Sequence, residues 1–104
     1  MTLPSIGNRL FMKPSDHSGD PDYFYLVREA EVKTDGNVIW RSEVRQGIYR
    51  GKYKYQYFTD KSALERELKT KELDGYILVS ETNYSSALDN DWLIEMGLRW
   101  PQHK

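Results

Sequence analysis

The sequence predicts an α+β domain in which an antiparallel β-sheet of about four strands carries one main helix on one face. Three patterns point to this class. A β-favouring segment that begins at Tyr23 is followed by Asp35-Gly36, the strongest short signal for a hairpin. Cations and tyrosines then alternate strictly from Arg50 to Phe58, which is the period of a strand. The next segment, Ser62 to Leu73, is rich in the helix formers Glu, Lys, Leu and Ala.

Alternation within the predicted strands decides which residues share a sheet face. The strand from Tyr23 to Lys33 begins aromatic and becomes more polar along its length. After the hairpin turn, the next strand runs from about Asn37 to Arg45. Gln46-Gly47 predicts a second turn, and a third strand from Tyr49 to Phe58 completes a β-meander.

The segment after the meander carries the signals of a capped helix. Thr59 or Asp60 is suited to the N-cap, and Gly75 is placed to end the helix. Because the apolar stripe is narrow, we expect the helix to lie on one sheet face with its other side in water. Tyr76 to Val79 is apolar on both faces and predicts a fourth strand in the sheet interior.

The two ends of the chain are less regular. Pro14 to Asp22 is polar and rich in turn formers, which predicts an exposed loop, and the apolar residues before it either add a short strand or lie on the core. Asp91 to Leu98 is compatible with a short helix stopped by Gly97 and equally with an extended segment. The large apolar side chains near the C-terminus are expected to close over the core. They are Trp92, Leu93, Met96 and Trp100.

Length and composition limit the classes of protein to which the chain can belong. Its 104 residues suit one domain, with a partly irregular segment 1–22, a core of residues 23–80 and an extension 81–104. The absence of cysteine excludes disulfides, thiolate catalysis and cysteine-bound zinc. No apolar run reaches transmembrane length, and no signal-peptide pattern is present. We therefore expect a cytoplasmic protein that uses no cofactor and binds no membrane.

Charge is segregated along the chain although the net charge is only −1. Between Arg41 and Lys54, five cations stand against Glu43 alone, a local charge of +4. The five are Arg41, Arg45, Arg50, Lys52 and Lys54. Strand alternation is expected to gather them on one sheet face, where a row of positive charge suits the phosphates of a nucleic acid. The alternatives are an ordinary solvated face, or an edge strand that its lysines protect from aggregation.

The tyrosines of the same stretch lie on the other face of the predicted strand. Tyr53, Tyr55 and Tyr57 have rings that can stack on unpaired bases. With the cations outward, however, alternation turns these tyrosines inward, where we expect them to pack beneath the helix. The sequence therefore predicts a non-enzymatic, DNA-binding module whose site consists of the cations.

Residues with catalytic or metal-binding chemistry are sparse. His17 and His103 are the only histidines, and the sequence contains no glycine-rich phosphate loop or nucleophile elbow. Asp16, Asp20 and Asp22 are of the residue type that binds Ca²⁺ or Mg²⁺, but their spacing matches no EF-hand loop. The surrounding turn formers explain this composition as a loop. We expect neither an enzyme nor a metal site.

A second interpretation is a small protein-interaction module, an inhibitor or a subunit. Trp92, Met96 and Trp100 would form an apolar patch for a protein partner or a homodimer if the C-terminal segment leaves them exposed. The acidic residues of that segment would then face a basic partner. The competing interpretation places the same side chains over the open end of the sheet.

The order of strand, hairpin, strand, glycine turn, basic strand and capped helix resembles the WGR domain of DNA-dependent poly(ADP-ribose) polymerases and small bacterial proteins. Arg45-Gln46-Gly47 matches the Arg-x-Gly of that family, and Tyr53 to Phe58 matches its basic strand ending in Phe. Thr59 to Leu73 matches its helix, and Gly75-Tyr76 matches the closing pair. The resemblance covers Tyr23 to Val79, roughly half of the chain. It implies DNA binding without catalysis.

The chain departs from the WGR pattern at the Trp-Gly that gives the family its name. Glu43 and Val44 occupy those two positions. In the family, the Trp packs against the sugar at a DNA break end, and a glutamate does not repeat that contact. Trp40 lies three residues earlier and, by alternation, on the opposite face from Glu43.

Overall fold

The computed structural model describes residues 5–15, 22–79 and 88–98. Its elements are β1 (Ser5–Lys13), β2 (Tyr23–Thr34), β3 (Asn37–Ile48), β4 (Tyr53–Phe58), α1 (Lys61–Leu73), β5 (Ile77–Val79) and α2 (Asn90–Glu95). The strands form one antiparallel sheet in the order β4-β3-β2-β1-β5. This architecture confirms the predicted α+β class with one main helix, and β1 adds a fifth strand to the expected four.

The hairpin between β2 and β3 forms where the sequence predicts it. Asp35 and Gly36 have φ angles of 52° and 80°, as a type I′ turn requires. Pairing then runs without interruption from Thr34 opposite Asn37 to Tyr23 opposite Ile48. Among the described residues, the outer part of this hairpin, 31–34 and 37–41, lies beyond the ends of β1 and β4 and is a two-stranded ribbon.

The turn predicted at Gln46-Gly47 is wrong, because β3 continues through both residues to Ile48. The chain reverses at residues 49–52 instead. Arg50 takes a φ of 62°, and the Ile48 N–H donates to the Lys52 carbonyl at 2.9 Å. The basic strand that was expected to begin at Tyr49 therefore begins at Tyr53.

Gly47 lies within the sheet at a point where two strands approach closely. A Cβ atom there would overlap the Lys52 carbonyl oxygen and would lie 2.5 Å from the Tyr53 Cα. Gly47 pairs with Phe24 on one side and with Tyr53 on the other. The two rings meet across the glycine, edge to face, with centroids 5.8 Å apart. This contact covers the glycine and fixes which β4 residue stands beside it.

Each face of the sheet carries a buried core, and β2 contributes to both cores. Phe24, Tyr25, Leu26 and Val27 are all fully buried. Tyr25 and Val27 pack with Leu64 and Leu68 of α1, whereas Phe24 and Leu26 pack with the segment that contains α2. The predicted closure of the C-terminal segment over the core is thus confirmed for its described part.

The helix α1 begins and ends as the sequence predicts. The Asp60 side chain accepts a hydrogen bond from the Ser62 N–H at 2.9 Å, so Asp60 is the N-cap. At the other end Gly75 has a φ of 103°, and the Tyr76 N–H donates to the Lys71 carbonyl at 3.0 Å. Because α1 joins strands at opposite edges of the sheet, it crosses the sheet on one face.

The strand β5 departs from its predicted place. Among the described strands it pairs with β1 alone, so it forms an edge of that sheet rather than part of its interior. Ile77 and Leu78 are 61% and 58% exposed. An apolar strand is therefore not a sufficient sign of a central position in this sheet.

The segment 90–95 is a helix, which decides between the two conformations that the sequence left open. Asp89 caps it by accepting a hydrogen bond from the Trp92 N–H at 3.0 Å, and its own N–H donates to the Tyr49 hydroxyl at 2.7 Å. Gly97 ends the helix with a φ of 76°. The guanidinium of Arg28 lies against Gly97, where a Cβ would be 3.0 Å from Nη1.

Some predictions concern residues that lie outside the described ranges. These include most of the loop from Pro14 to Asp22, as well as Trp100 and His103. Among the described residues, no helix has the length and apolar character needed to cross a membrane. The same residues contain no group of three or more His, Cys, Asp or Glu that could hold a metal ion.

We predict that Gly47→Ala lowers the free energy of unfolding by about 1–3 kcal/mol, because the added methyl group overpacks a site bounded by main-chain atoms. Chemical denaturation measures this difference. Gly7→Ala is the matched control, since a Cβ at Gly7 meets no atom within 4 Å. Equal stabilities for the two variants would contradict the close approach at Gly47.

We also predict that the protein loses stability above about pH 10, the ordinary pKa of tyrosine. Burial, and then the charge of Glu67, raise the pKa of the Tyr25 hydroxyl. The folded state therefore keeps a proton that the unfolded chain releases, so stability present below pH 10 falls as the pH rises. The loss from this residue is no more than about 1.4 kcal/mol per pH unit.

The control for this alkaline loss is Tyr25→Phe. The Tyr25 hydroxyl is buried without a hydrogen-bond partner among the described residues, so its removal is expected to cost little at neutral pH. Denaturant titrations at neutral and alkaline pH should show a shallower decline for the variant. Identical pH profiles would contradict the assignment.

Candidate nucleic-acid interface

Tyr53, Tyr55 and Tyr57 lie along β4 on the sheet face that carries α2, and we call them the tyrosine row. Tyr53 is half-buried against the α2 core, whereas Tyr55 and Tyr57 are 50% and 68% exposed. The rings of Tyr53 and Tyr55 contact each other edge to face, with centroids 5.7 Å apart. The row therefore starts at the core and continues into solvent.

The prediction that these tyrosines pack beneath α1 is wrong. The β4 residues that face α1 are Lys54, Gln56 and Phe58, and Phe58 packs against the core beneath that helix. Gln46, which pairs with Lys54, accepts a hydrogen bond at 3.5 Å from Lys71 of α1. Alternation in the sequence shows which residues share a face, but the path of the helix decides which face is covered.

The five cations that were expected on one face are divided by the structure. Arg41 and Arg45 lie on the face of the tyrosine row, Arg50 and Lys52 lie in the turn before it, and Lys54 lies on the α1 face. All except Arg45 are exposed and form no ion pair with other described residues. The cations thus border the row at both ends and do not form one basic surface.

Arg45 is the cation in contact with the tyrosine row. Its guanidinium carbon lies 5.1 Å from the centroid of the Tyr55 ring, a cation–π distance. Its Nε donates to the Glu43 carboxylate at 2.9 Å, and its Nη1 donates to the Glu95 carbonyl at 3.4 Å. The Glu43 carboxylate neutralises the charge of Arg45. We therefore assign Arg45 to holding the Tyr55 ring in place rather than to binding a phosphate.

An open pocket of about 390 Å³ lies at the buried end of the row, between the turn and α2. Arg50 and Lys52 line it together with Asp89, Asp91 and Glu95. Three carboxylates against two cations leave this pocket with a negative net charge, which repels phosphate. The part of the site best suited to a nucleic acid is therefore the open end of the row, near Tyr57.

The apolar patch of the second interpretation is absent from the described surface. Trp92 is 4% exposed and Met96 is fully buried. The Trp92 ring packs edge to face on Phe24 and Tyr49, with centroids 5.0 and 4.9 Å apart. Core packing accounts for both residues, so an exposed partner site at Trp92 and Met96 is wrong, and Trp100 lies outside the described residues.

Comparison of the chain with protein-family models, with curated proteins and with solved structures finds no match. The resemblance to the WGR domain is neither supported nor contradicted by this result. The candidate site is defined by its own geometry, which consists of three aromatic rings on an open strand with cations at either end.

Proposed function

We propose that this chain is a non-enzymatic module that binds single-stranded nucleic acid on the tyrosine row. The observation that carries the proposal is the exposure of Tyr55 and Tyr57 on an uncovered part of the sheet, beside a cation. Every base has a π face, so exposed rings stack bases with little regard to sequence. A buried aromatic core has no such use.

The spacing of the row favours a single strand over a duplex. Alternate residues of a strand are about 6.8 Å apart, whereas the stacked bases of a duplex strand are about 3.4 Å apart. One base per tyrosine therefore requires bases that have moved away from each other. A single strand allows this at low cost, and a paired duplex does not.

Cations near the row would hold the phosphates of the same strand. Arg41 is exposed on the face of the row, two residues from the Glu43 that pairs with Tyr57. Arg50 and Lys52 stand at the other end, where nearby carboxylates offset their charge. Arg41 is therefore the cation that we expect to contribute most to phosphate binding.

The resemblance to the WGR domain favours DNA as the ligand. Stacking, however, uses the face of the base and does not contact the 2′-hydroxyl that separates RNA from DNA. We therefore expect DNA and RNA single strands of equal length to bind with similar affinity. Both belong in the binding measurements.

We predict that Tyr57→Ala weakens binding to a single strand by about 5- to 150-fold, since stacking on one ring contributes about 1–3 kcal/mol per base. Fluorescence anisotropy with a labelled oligothymidylate of about 12 nucleotides measures the affinity. Tyr23→Ala is the matched control, because Tyr23 is also exposed (44%) but lies away from the row.

A duplex that binds as tightly as the single strand would contradict the proposed preference for single-stranded nucleic acid. Full affinity in the double variant Tyr55→Ala with Tyr57→Ala would contradict binding on the tyrosine row. Circular dichroism should show that each variant is folded, because both side chains extend into solvent.

Salt dependence gives a separate prediction for the phosphate contact. Arg41→Ala should weaken binding and reduce the slope of log affinity against log salt by about 0.7, the value for one phosphate on a single strand. Lys54→Ala should leave the slope unchanged, because Lys54 lies on the α1 face. Equal slopes for the Arg41 variant and the unmodified protein would remove Arg41 from the site.

A further inference from the structure

The outer edge of β4 is unpaired within the part of the chain that the structure describes. β4 is the first strand in the sheet order, and β3 is its one neighbour among the described strands. An open edge presents a row of main-chain donors and acceptors, which is a template for another strand. The question is which strand fits this edge.

The free main-chain groups of β4 belong to the tyrosine row. The Ile48 N–H donates to the Lys52 carbonyl, so the main chain of Ile48 points toward the β4 side. Because these directions alternate along an antiparallel pair, the β4 residues that bond to β3 are Lys54, Gln56 and Phe58. Tyr53, Tyr55 and Tyr57 therefore direct their N–H and C=O groups away from the sheet.

We infer that β4 pairs antiparallel with β4 of a second copy of this chain, about a two-fold axis at Tyr55. In this register Tyr55 meets Tyr55 of the second copy, and Tyr53 meets Tyr57. Each outward-facing residue of the strand then has an outward-facing partner with which it exchanges two hydrogen bonds. The two copies form one continuous sheet.

The charges on the α1 face select this register from its neighbours. With the axis at Tyr55, Lys54 stands beside Gln56 of the second copy, a neutral amide. With the axis at Tyr53, Lys54 would stand beside Lys52 of the second copy, and like charges directly opposite each other are unfavourable. With the axis at Tyr57, the pairing would extend past Phe58, where β4 ends.

The aromatic rings favour the same pairing. The two-fold axis is perpendicular to the sheet, so both tyrosine rows lie on one face. Tyr55 then forms a cross-strand aromatic pair with its counterpart, an interaction that stabilises antiparallel sheets. Half of the Tyr55 surface is exposed in the single chain and is available for this contact. The pairing needs no nucleic acid and does not rest on the proposed function.

Disulfide trapping tests the register directly, because the natural chain has no cysteine. In Tyr55→Cys the two new thiols would face each other with Cα atoms about 5.5 Å apart, within the range for a disulfide. Mild oxidation should therefore yield a covalent dimer at high fraction. In the control Tyr57→Cys, the thiol would face Tyr53 of the second copy, and little covalent dimer should form.

The charge on the α1 face gives a test that leaves the tyrosine row intact. Size-exclusion chromatography with light scattering, without nucleic acid, should show a concentration-dependent dimer of the unmodified protein. Gln56→Lys should raise the dimer dissociation constant at least tenfold, since each introduced lysine would stand beside Lys54 of the other copy. Adding Lys54→Glu to Gln56→Lys should restore the dimer.

A monomer at every concentration, or equal cross-linking of the two cysteine variants, would overturn the inference. A dimer that survives Gln56→Lys unchanged would also overturn this register. Because these measurements contain no nucleic acid, their failure would leave the proposed function to be decided by the anisotropy data alone.

Discussion

Phe24 and Tyr53 touch across Gly47, and this contact determines the geometry of the edge strand. The missing side chain at Gly47 lets the two rings approach and holds Tyr53 on the face that carries α2. Because side chains alternate, Tyr55 and Tyr57 must then lie on that face as well. Two features follow from this register. Tyr55 and Tyr57 lie on the partly uncovered face, and Lys54 lies on the opposite face, away from the tyrosine row.

Local signals in the sequence predicted the elements that depend on a few neighbouring residues. Asp35-Gly36 predicted its turn because positive φ angles at both positions leave few alternatives, and Asp60 and Gly75 predicted the limits of α1 by their capping chemistry. The predicted turn at Gln46-Gly47 is wrong because glycine is common both in turns and where two strands approach closely, and Gly47 has the second role. The second role depends on Phe24, which is distant in sequence.

The face of the tyrosines was not predictable from periodicity, since a period of two divides residues into two sets without saying which set is covered. Here α1 crosses from one edge of the sheet to the other on the Val44 face, and α2 covers only part of the opposite face. One signal was present: all three positions hold tyrosine instead of phenylalanine, and a phenol hydroxyl favours a ring with one end in water.

Because lysine and tyrosine alternate in β4, the two faces of this strand differ in chemistry. On the α1 face, Lys54 disfavours pairing registers that would bring it against another lysine, which limits uncontrolled growth of the sheet. On the other face, Tyr55 and Tyr57 remain exposed to solvent. If two copies pair at Tyr55, their tyrosine rows adjoin. A nucleic-acid strand bound to one row would then encounter the second row at high effective concentration. Edge pairing and nucleic-acid binding would then reinforce each other, because the second row adds contacts without a second diffusional encounter.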